Sequence, residues 1–281
     1  MQFSLIMATY GRKDEIGLFL ESLLLQEKIN LSEVELIIVD QNDKISLDDL
    51  CQTYSDKLNI IHIKSDKKGL SLNRNIGLKI AKGEYIAFPD DDCTYYSDTL
   101  YKVKQYFESY QDVDVVLGRI IDRKTGKKII RDWKDVQYSV NRSNFFFSYS
   151  SITIFARKND ILFDEELGVG CFFGSYEDAD YVWQMLDKNM KLEYTPIIEV
   201  WHPEPKEQEI NYKKVYSYGL GFGALIYKHL SLSAIWLFIQ AQGYHFTKFI
   251  LNTTKWNKQE MKKSWLSLTS RFKGIYLYAT K

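Results

Sequence analysis

Hydrophobic positions in the first third of the chain fall into two alternating patterns. Residues 4–8, 35–40, 59–64 and 85–89 form short, continuous apolar runs bounded by turn-forming residues, as expected of strands buried on both faces. Between them, residues 13–26 place Ile16, Leu20, Leu23 and Leu24 on one helical face, and 71–81 read as a second helix. This alternation predicts a parallel, doubly wound α/β sheet. Ligands of such sheets lie beyond the carboxyl ends of the strands. Thr9-Tyr10, Asp40-Gln41 and Asp90-Asp91-Asp92 all fall at those ends.

The middle of the chain is less regular. Residues 115–121 and 151–156 read as strands, separated by a polar, aromatic-rich stretch that includes Phe145, Phe146 and Phe147. Gly168, Gly170 and Gly174 form a flexible loop ahead of a helix starting near Glu177. Residues 191–200 are strand-like, and Pro203 and Pro205 then break the chain. Helical patterns rich in Tyr, Trp, Phe and Lys follow.

Composition narrows the class. With 281 residues, 45% of them hydrophobic and 26% charged, the chain has ample material for a packed core. Its 37 basic and 37 acidic residues cancel, which excludes a nucleic-acid binder working by bulk positive charge. The balance is uneven, however: residues 211–281 carry eleven Lys or Arg against one acid, Glu260. Cys51, Cys93 and Cys171 are odd in number and lack metal-like spacing, so a reduced, cytoplasmic protein is expected. The opening residues have no basic segment and too short an apolar run for a secretory leader, and read as the first strand.

Three constellations carry candidate chemistry. Asp90-Asp91-Asp92 ends an apolar strand, where adjacent carboxylates repel unless a cation joins them. A hard divalent metal answers that need and takes substrate phosphates into its shell. An isolated run of this kind is more often a solvated acidic turn. Glu177 and Asp178, with Asp180, open a helix; they serve either as complements to its dipole or as a general base for an incoming hydroxyl. His202 follows a strand end and is a candidate third metal ligand. His62, His229 and His245 are assigned no role.

Across roughly residues 1–205 these features resemble the family 2 glycosyltransferases of the GT-A fold. Ile6-Met7-Ala8-Thr9-Tyr10-Gly11-Arg12 is similar to the opening strand and nucleotide loop, and Ile37-Ile38-Val39-Asp40-Gln41 to the second strand and base-recognising turn. Gly69-Leu70-Ser71-Leu72-Asn73-Arg74-Asn75-Ile76-Gly77 resembles the loop and helix that carry an Arg-Asn pair. Gly83-Glu84-Tyr85-Ile86-Ala87-Phe88-Pro89-Asp90-Asp91-Asp92 resembles the strand leading into the DxD motif. Phe163-Asp164-Glu165-Glu166-Leu167-Gly168-Val169-Gly170 and Gly174-Ser175-Tyr176-Glu177-Asp178 resemble the acceptor loop and ED motif. Two positions depart from the pattern. Gln41 stands where many members carry a second acid, so one contact to the base is expected from an amide. Gly11 stands where asparagine is common.

The resemblance implies a Rossmann-like α/β fold, a mostly parallel sheet flanked by helices, with a helical C-terminal extension. It divides residues 1–210 into a nucleotide-binding half (about 1–118) and an acceptor-binding half (about 119–210), leaving 211–281 as a basic, aromatic-rich tail. The implied reaction is inverting sugar transfer from a nucleotide-activated donor, a UDP-sugar, assisted by Mn or Mg. Asp92 is then a direct metal ligand, with Asp90 contacting the ribose or supporting the metal shell beside His202. Ala8, Thr9, Tyr10, Arg12, Asp40, Gln41, Arg74, Asn75, Asp90 and Asp91 are expected around the nucleotide sugar. Among them Tyr10 stacks on the base, Asp40 accepts from its ring N–H, Thr9 contributes through its backbone, and Arg74 lies near the diphosphate. Asp178 is the expected base, and Glu177 orients it or binds the acceptor.

Two other classes compete. A nucleotidyltransferase needs a phosphate-cradling, Gly-rich loop, of which Gly11-Arg12 is a poor version. A silent sugar-binding module has no need of Asp90, Asp92 and Asp178 together. The tail bears on the acceptor. From His229 to Thr247 it carries no formal charge, yet Ser231, Ser233, Gln240, Gln242 and Gly243 make it too polar for a clear span. Its flanking lysines and rings suit a headgroup layer. The expectation is a transferase peripheral to the inner face of a bacterial membrane, extending a glycan or polyprenyl-linked oligosaccharide in surface polysaccharide (O-antigen or capsule) assembly. The alternative is that these helices cover the catalytic domain or form a homodimer surface.

Overall fold

The computed structural model describes residues 1–205 and 209–281. Two compact units emerge. One comprises Met1–Leu162 with Gln184–Pro205; the other comprises Phe163–Trp183 with the described residues from 209 onward. By packing, then, the segment Phe163–Trp183 groups with the C-terminal helices, whereas the division at residue 210 follows the linear motif order.

The first unit is built on one ten-stranded sheet. In chain order its elements are β1 (Phe3–Thr9), α1 (Asp14–Leu24), β2 (Val34–Asp40), α2 (Asp48–Tyr54), β3 (Asn59–Lys64), α3 (Leu70–Ile80), β4 (Tyr85–Ala87), β5 (Thr94–Tyr95), α4 (Thr99–Ser109), β6 (Val115–Asp122), β7 (Lys127–Lys128), β8 (Tyr138–Val140), β9 (Ile154–Arg157) and β10 (Leu192–Trp201). The strand order is β3-β2-β1-β4-β9-β6-β10-β5, with β7 on β6 and β8 on β10. β3, β2, β1 and β4 pair in parallel, as the strand–helix alternation requires. β9 runs antiparallel to both β4 and β6, so the sheet is mixed beyond β4.

Burial explains the central strands. Every residue of β1 and β2 is buried, which accounts for apolar runs without alternation. Of the four polar residues in these strands, Thr9 and Asp40 stand at the carboxyl ends, and Ser4 and Glu35 pair within, Ser4 Oγ donating to Glu35 Oε1 at 2.5 Å. α3 lies close on β1 because Gly77 leaves room; a β-carbon there would press on Ile6. Thr9, Asp40 and Ala87 close parallel strands on the same edge, and the loops that follow them carry the candidate chemistry.

In the second unit, α5 (Glu177–Asp187) begins before the chain crosses back at Gln184, and α6 (Tyr212–Lys228), α7 (Leu232–Thr254) and α8 (Lys258–Ala279) follow. Asn211, Ser231 and Asn257 cap these three helices, each side chain accepting from a first-turn N–H. α6 and α8 approach closely through Gly219, Gly223 and Gly274, where added methyls would collide with the facing helix. Leu167, Phe173, Leu220 and Ala224 form the apolar centre of this unit. No helix among the described residues is long and apolar enough to cross a membrane.

Candidate active site

The first unit gathers most of the predicted residues beyond the ends of β1, β2 and β4. Arg74, buried in α3, reaches forward so that Nη2 donates to Asp90 Oδ1 at 2.8 Å. Thr9 Oγ1 donates to Asp91 Oδ2 at 2.7 Å, and Arg12 Nη1 to Asp91 Oδ1 at 2.8 Å. Arg12 also pairs with Asp92. Thr9 therefore acts here through its hydroxyl, while its carbonyl is taken by the Gln41 N–H at 3.0 Å. Ala8 and Asn75 are buried beneath this layer.

His202, in the loop after β10, completes a metal-compatible group. Asp90, Asp92 and His202 each offer a ligand atom, and these atoms all lie within 4.8 Å of one another. His202 Nδ1 is engaged by the Pro203 carbonyl at 2.7 Å, which leaves Nε2 towards Asp92 Oδ1 at 3.4 Å. A hydrogen bond of that kind fixes the tautomer and presents the second nitrogen as a ligand. Two carboxylates and an imidazole fit Mn²⁺ well and Mg²⁺ acceptably. Burial opposes charge on His202, yet its bond to Asp92 prevails and holds its pKa above the ordinary value. Burial likewise opposes charge on Asp92, but His202 and Arg12 outweigh it and depress the carboxyl. Burial wins at Asp91, whose pKa is raised despite Thr9 and Arg12.

The residues expected around a nucleobase differ in detail from expectation. Tyr10 is 56% exposed, with Lys68 Nζ 4.2 Å from its ring centroid. Asp40, expected to accept from a base N–H, is fully buried. Its oxygens accept from Asn42 N at 2.7 Å and Lys64 Nζ at 2.9 Å, and contact His62 Nε2 at 3.1 Å. Burial pushes the Asp40 pKa up, but these bonds prevail and lower it. The Gln41 side chain accepts from Gly69 N at 2.9 Å. The amide with a donor to spare is its neighbour. Asn42, only 3% exposed, accepts from Gly11 N at 2.5 Å, and its Nδ2 has no hydrogen-bond partner among the described residues. It lines a cavity of about 480 Å³ with Lys64, Ser65 and Lys68.

Glu177 and Asp178 belong to the second unit and open α5 with Asp180 in the first turn. Tyr176, just before them, has φ +70°, a left-handed conformation that costs a tyrosine about 1 kcal/mol or more. Packing holds it, the ring lying edge-on to Phe222 at 5.2 Å. Asp180 is fully buried and contacts His229 Nε2 at 2.8 Å and Lys228 Nζ at 3.0 Å. Lys228 is shared with Asp164, which Tyr278 also reaches at 2.8 Å.

Residues 4–177, well over half of the chain, match the family described as Glycosyl transferase family 2. The chain belongs to this family. Its relatives match over shorter stretches. Minor teichoic acid biosynthesis protein GgaB of Bacillus subtilis is 32% identical over 117 residues, 41% of this chain and 13% of GgaB. WfaP of Escherichia coli, named a UDP-Glc:alpha-D-GlcNAc-diphosphoundecaprenol beta-1,3-glucosyltransferase, is 42% identical over 90 residues, 32% of this chain and 34% of WfaP. The chain thus spans only a minor part of either relative. Among solved structures, Staphylococcus aureus TarS 1–349 in complex with UDP-GlcNAc superposes with a TM-score of 0.70 at 22% identity, covering 98% of this chain and 82% of that one. The likeness establishes a GT-A-like fold for this family 2 chain.

Reading the sequence missed Asn42, Lys68 and the Asp180–His229 contact. Asn42 carried a weak signal, an amide just past a strand end, but its spare donor exists only because Gly11 occupies the other end of the amide. The Asp180–His229 contact joins α5 to the end of α6 and has no local signature.

Proposed function

We propose that this chain transfers a hexose from a UDP-sugar to a hydroxyl of a glycan acceptor, with inversion at the anomeric carbon. The observation that carries the reading is the Asp90–Asp92–His202 group at the end of β4 in a family 2 chain. Asp92, Asp90 and His202 hold a divalent cation, Mn or Mg. When bound, that cation supplies positive charge to the departing diphosphate. Arg74 fixes Asp90 from below, and Arg12 pairs with Asp91 and Asp92. Tyr10 stacks on the base. Asn42 donates to a base carbonyl, and Asp40 positions Asn42 through its N–H.

Asp178 takes the proton from the acceptor hydroxyl as the oxygen attacks the anomeric carbon, and Glu177 orients the acceptor. A single base without an enzyme nucleophile suits one displacement. A UDP-sugar donor and a polymer or lipid-linked acceptor agree with the relatives, a teichoic acid biosynthesis protein and a UDP-Glc transferase acting on a diphosphoundecaprenol, and with the UDP-GlcNAc complex of TarS. The test is UDP release from a panel of UDP-sugars with Mn²⁺ and glycan acceptors. Asp178→Asn retains UDP binding and loses transfer by at least about a hundredfold. Near-normal turnover in that variant removes Asp178 from the role.

A further inference from the structure

α7 is amphipathic in an inverted sense. Its inner face is accounted for within the second unit: Ala234 and Leu237 are buried, Phe238 meets Phe272 at 5.1 Å between ring centroids, and Phe249 meets Trp265 at 5.7 Å. Gln242 Nε2 donates to Leu268 O at 3.2 Å, and Arg271 Nη1 to Ala241 O at 2.9 Å. The opposite face of an ordinary surface helix is polar. Here it carries Leu232, Trp236, Ile239, Phe246 and Ile250 at helical spacing, with Leu232 87%, Trp236 59% and Phe246 56% exposed. From Leu232 to Ile250 this stripe runs about 27 Å along the helix. So long an apolar strip is uncommon on a surface that meets only water.

The charges around the stripe identify its occupant. Lys255, Lys258 and Lys262 surround the turn from α7 into α8, where Trp256 is 83% exposed. The one acid of residues 211–281, Glu260, is already paired with Lys263 at 3.3 Å. A second copy of this face brings cations against cations with no carboxylate to answer them. Anionic headgroups answer them directly, and Trp and Tyr rings suit the boundary between acyl chains and water. We infer that α7 lies in the plane of an anionic lipid surface, its outward stripe immersed and the lysines of the turn into α8 on headgroup phosphates. This goes beyond the sugar-transfer reading and stands apart from it, since it rests on α7 and the turn into α8 and on none of the proposed donor-site residues.

The test uses the full chain and flotation on vesicles of phosphatidylcholine with or without phosphatidylglycerol. Wild type floats with the anionic vesicles, binds neutral ones at least about tenfold less, and dissociates progressively as salt rises. Trp236→Glu with Phe246→Glu lowers anionic-vesicle partitioning at least about a hundredfold. Both positions face outward, so the circular dichroism spectrum and UDP binding of the double variant match wild type. UDP binding that is absent from both proteins fails the transfer reading alone. The inference falls if wild type ignores anionic vesicles or if the double variant floats as well as wild type. A concentration-dependent dimer that the same two substitutions dissociate, without lipid binding, assigns the face to a second copy and also overturns it.

Discussion

Asp180 offers the sharpest energetic test of how the second unit holds its candidate base. Its carboxylate is fully buried, meets His229 Nε2 at 2.8 Å and accepts from Lys228 Nζ at 3.0 Å. Asp180→Ala removes that acceptor and leaves Lys228 with Asp164 alone and His229 without its carboxylate. Deleting one partner of a buried ion pair costs about 3–5 kcal/mol. The low end applies, because Lys228 keeps Asp164 and a quarter of its side chain, 25%, reaches water. A loss of about 3 kcal/mol lowers Tm by roughly 6–12 °C in a protein of this size. Asp180→Asn keeps an acceptor for one of the two donors and is expected to fall between. Because Asp178 lies in the same helical turn, Asp180→Asn also lowers kcat while leaving donor KM near wild type. Thermal unfolding at pH 7.5 and steady-state kinetics check both statements. A Tm drop under about 2 °C for the alanine variant refutes the claim that this network secures the start of α5.

Two further outcomes follow from single side chains. Asn42→Asp replaces the spare donor with an acceptor, so calorimetric titration finds UDP bound about tenfold more weakly relative to CDP than in wild type; an unchanged UDP-to-CDP ratio removes Asn42 from base recognition. His245 Nε2 accepts from Arg271 Nη2 at 2.9 Å, and burial first, then Arg271 and Lys263, lower its pKa to about 4. A histidine depressed in the folded state stays neutral there while the unfolded chain takes up a proton near pH 6.5. Its contribution is therefore intact above about pH 6.5 and is lost as pH falls towards about 4. His245→Gln flattens this part of the Tm-against-pH curve, and a curve of unchanged slope between pH 7 and 5 contradicts the assignment.

The parallel half of the fold was legible because its central strands, β1 and β2, are buried along their whole length. Their apolar runs were read within a residue or so of their bounds, and so was β3, although it is only partly buried. The antiparallel course of β9 was not legible, because hydrophobic patterning reports burial and not direction. Within the run 151–156, Ser151–Thr153 instead forms a 3₁₀ turn before the strand. α4 escaped notice because Leu100, Val103, Tyr106 and Phe107 are interleaved with Lys102, Lys104 and Glu108. At the site, the aspartates and His202 stood out because charge at a strand end is costly without a partner. The spare donor of Asn42 and the burial of Asp40 depend on Gly11, His62 and Lys64, which only the fold brings alongside. The outward stripe of α7 was present in the sequence as an apolar stretch, but which side of the helix faces water depends on how α8 packs against it.

Calorimetric titration of UDP into the protein tests the proposed metal site of Asp90, Asp92 and His202 most directly. In Mn²⁺ wild type binds UDP, and excess EDTA weakens that binding at least about tenfold by leaving the diphosphate to Arg12 and Arg74 alone. Asp92→Asn in Mn²⁺ falls to the same level as wild type in EDTA. UDP affinity that is equal in Mn²⁺ and EDTA, and unmoved by Asp92→Asn, contradicts a metal-assisted site at Asp90, Asp92 and His202.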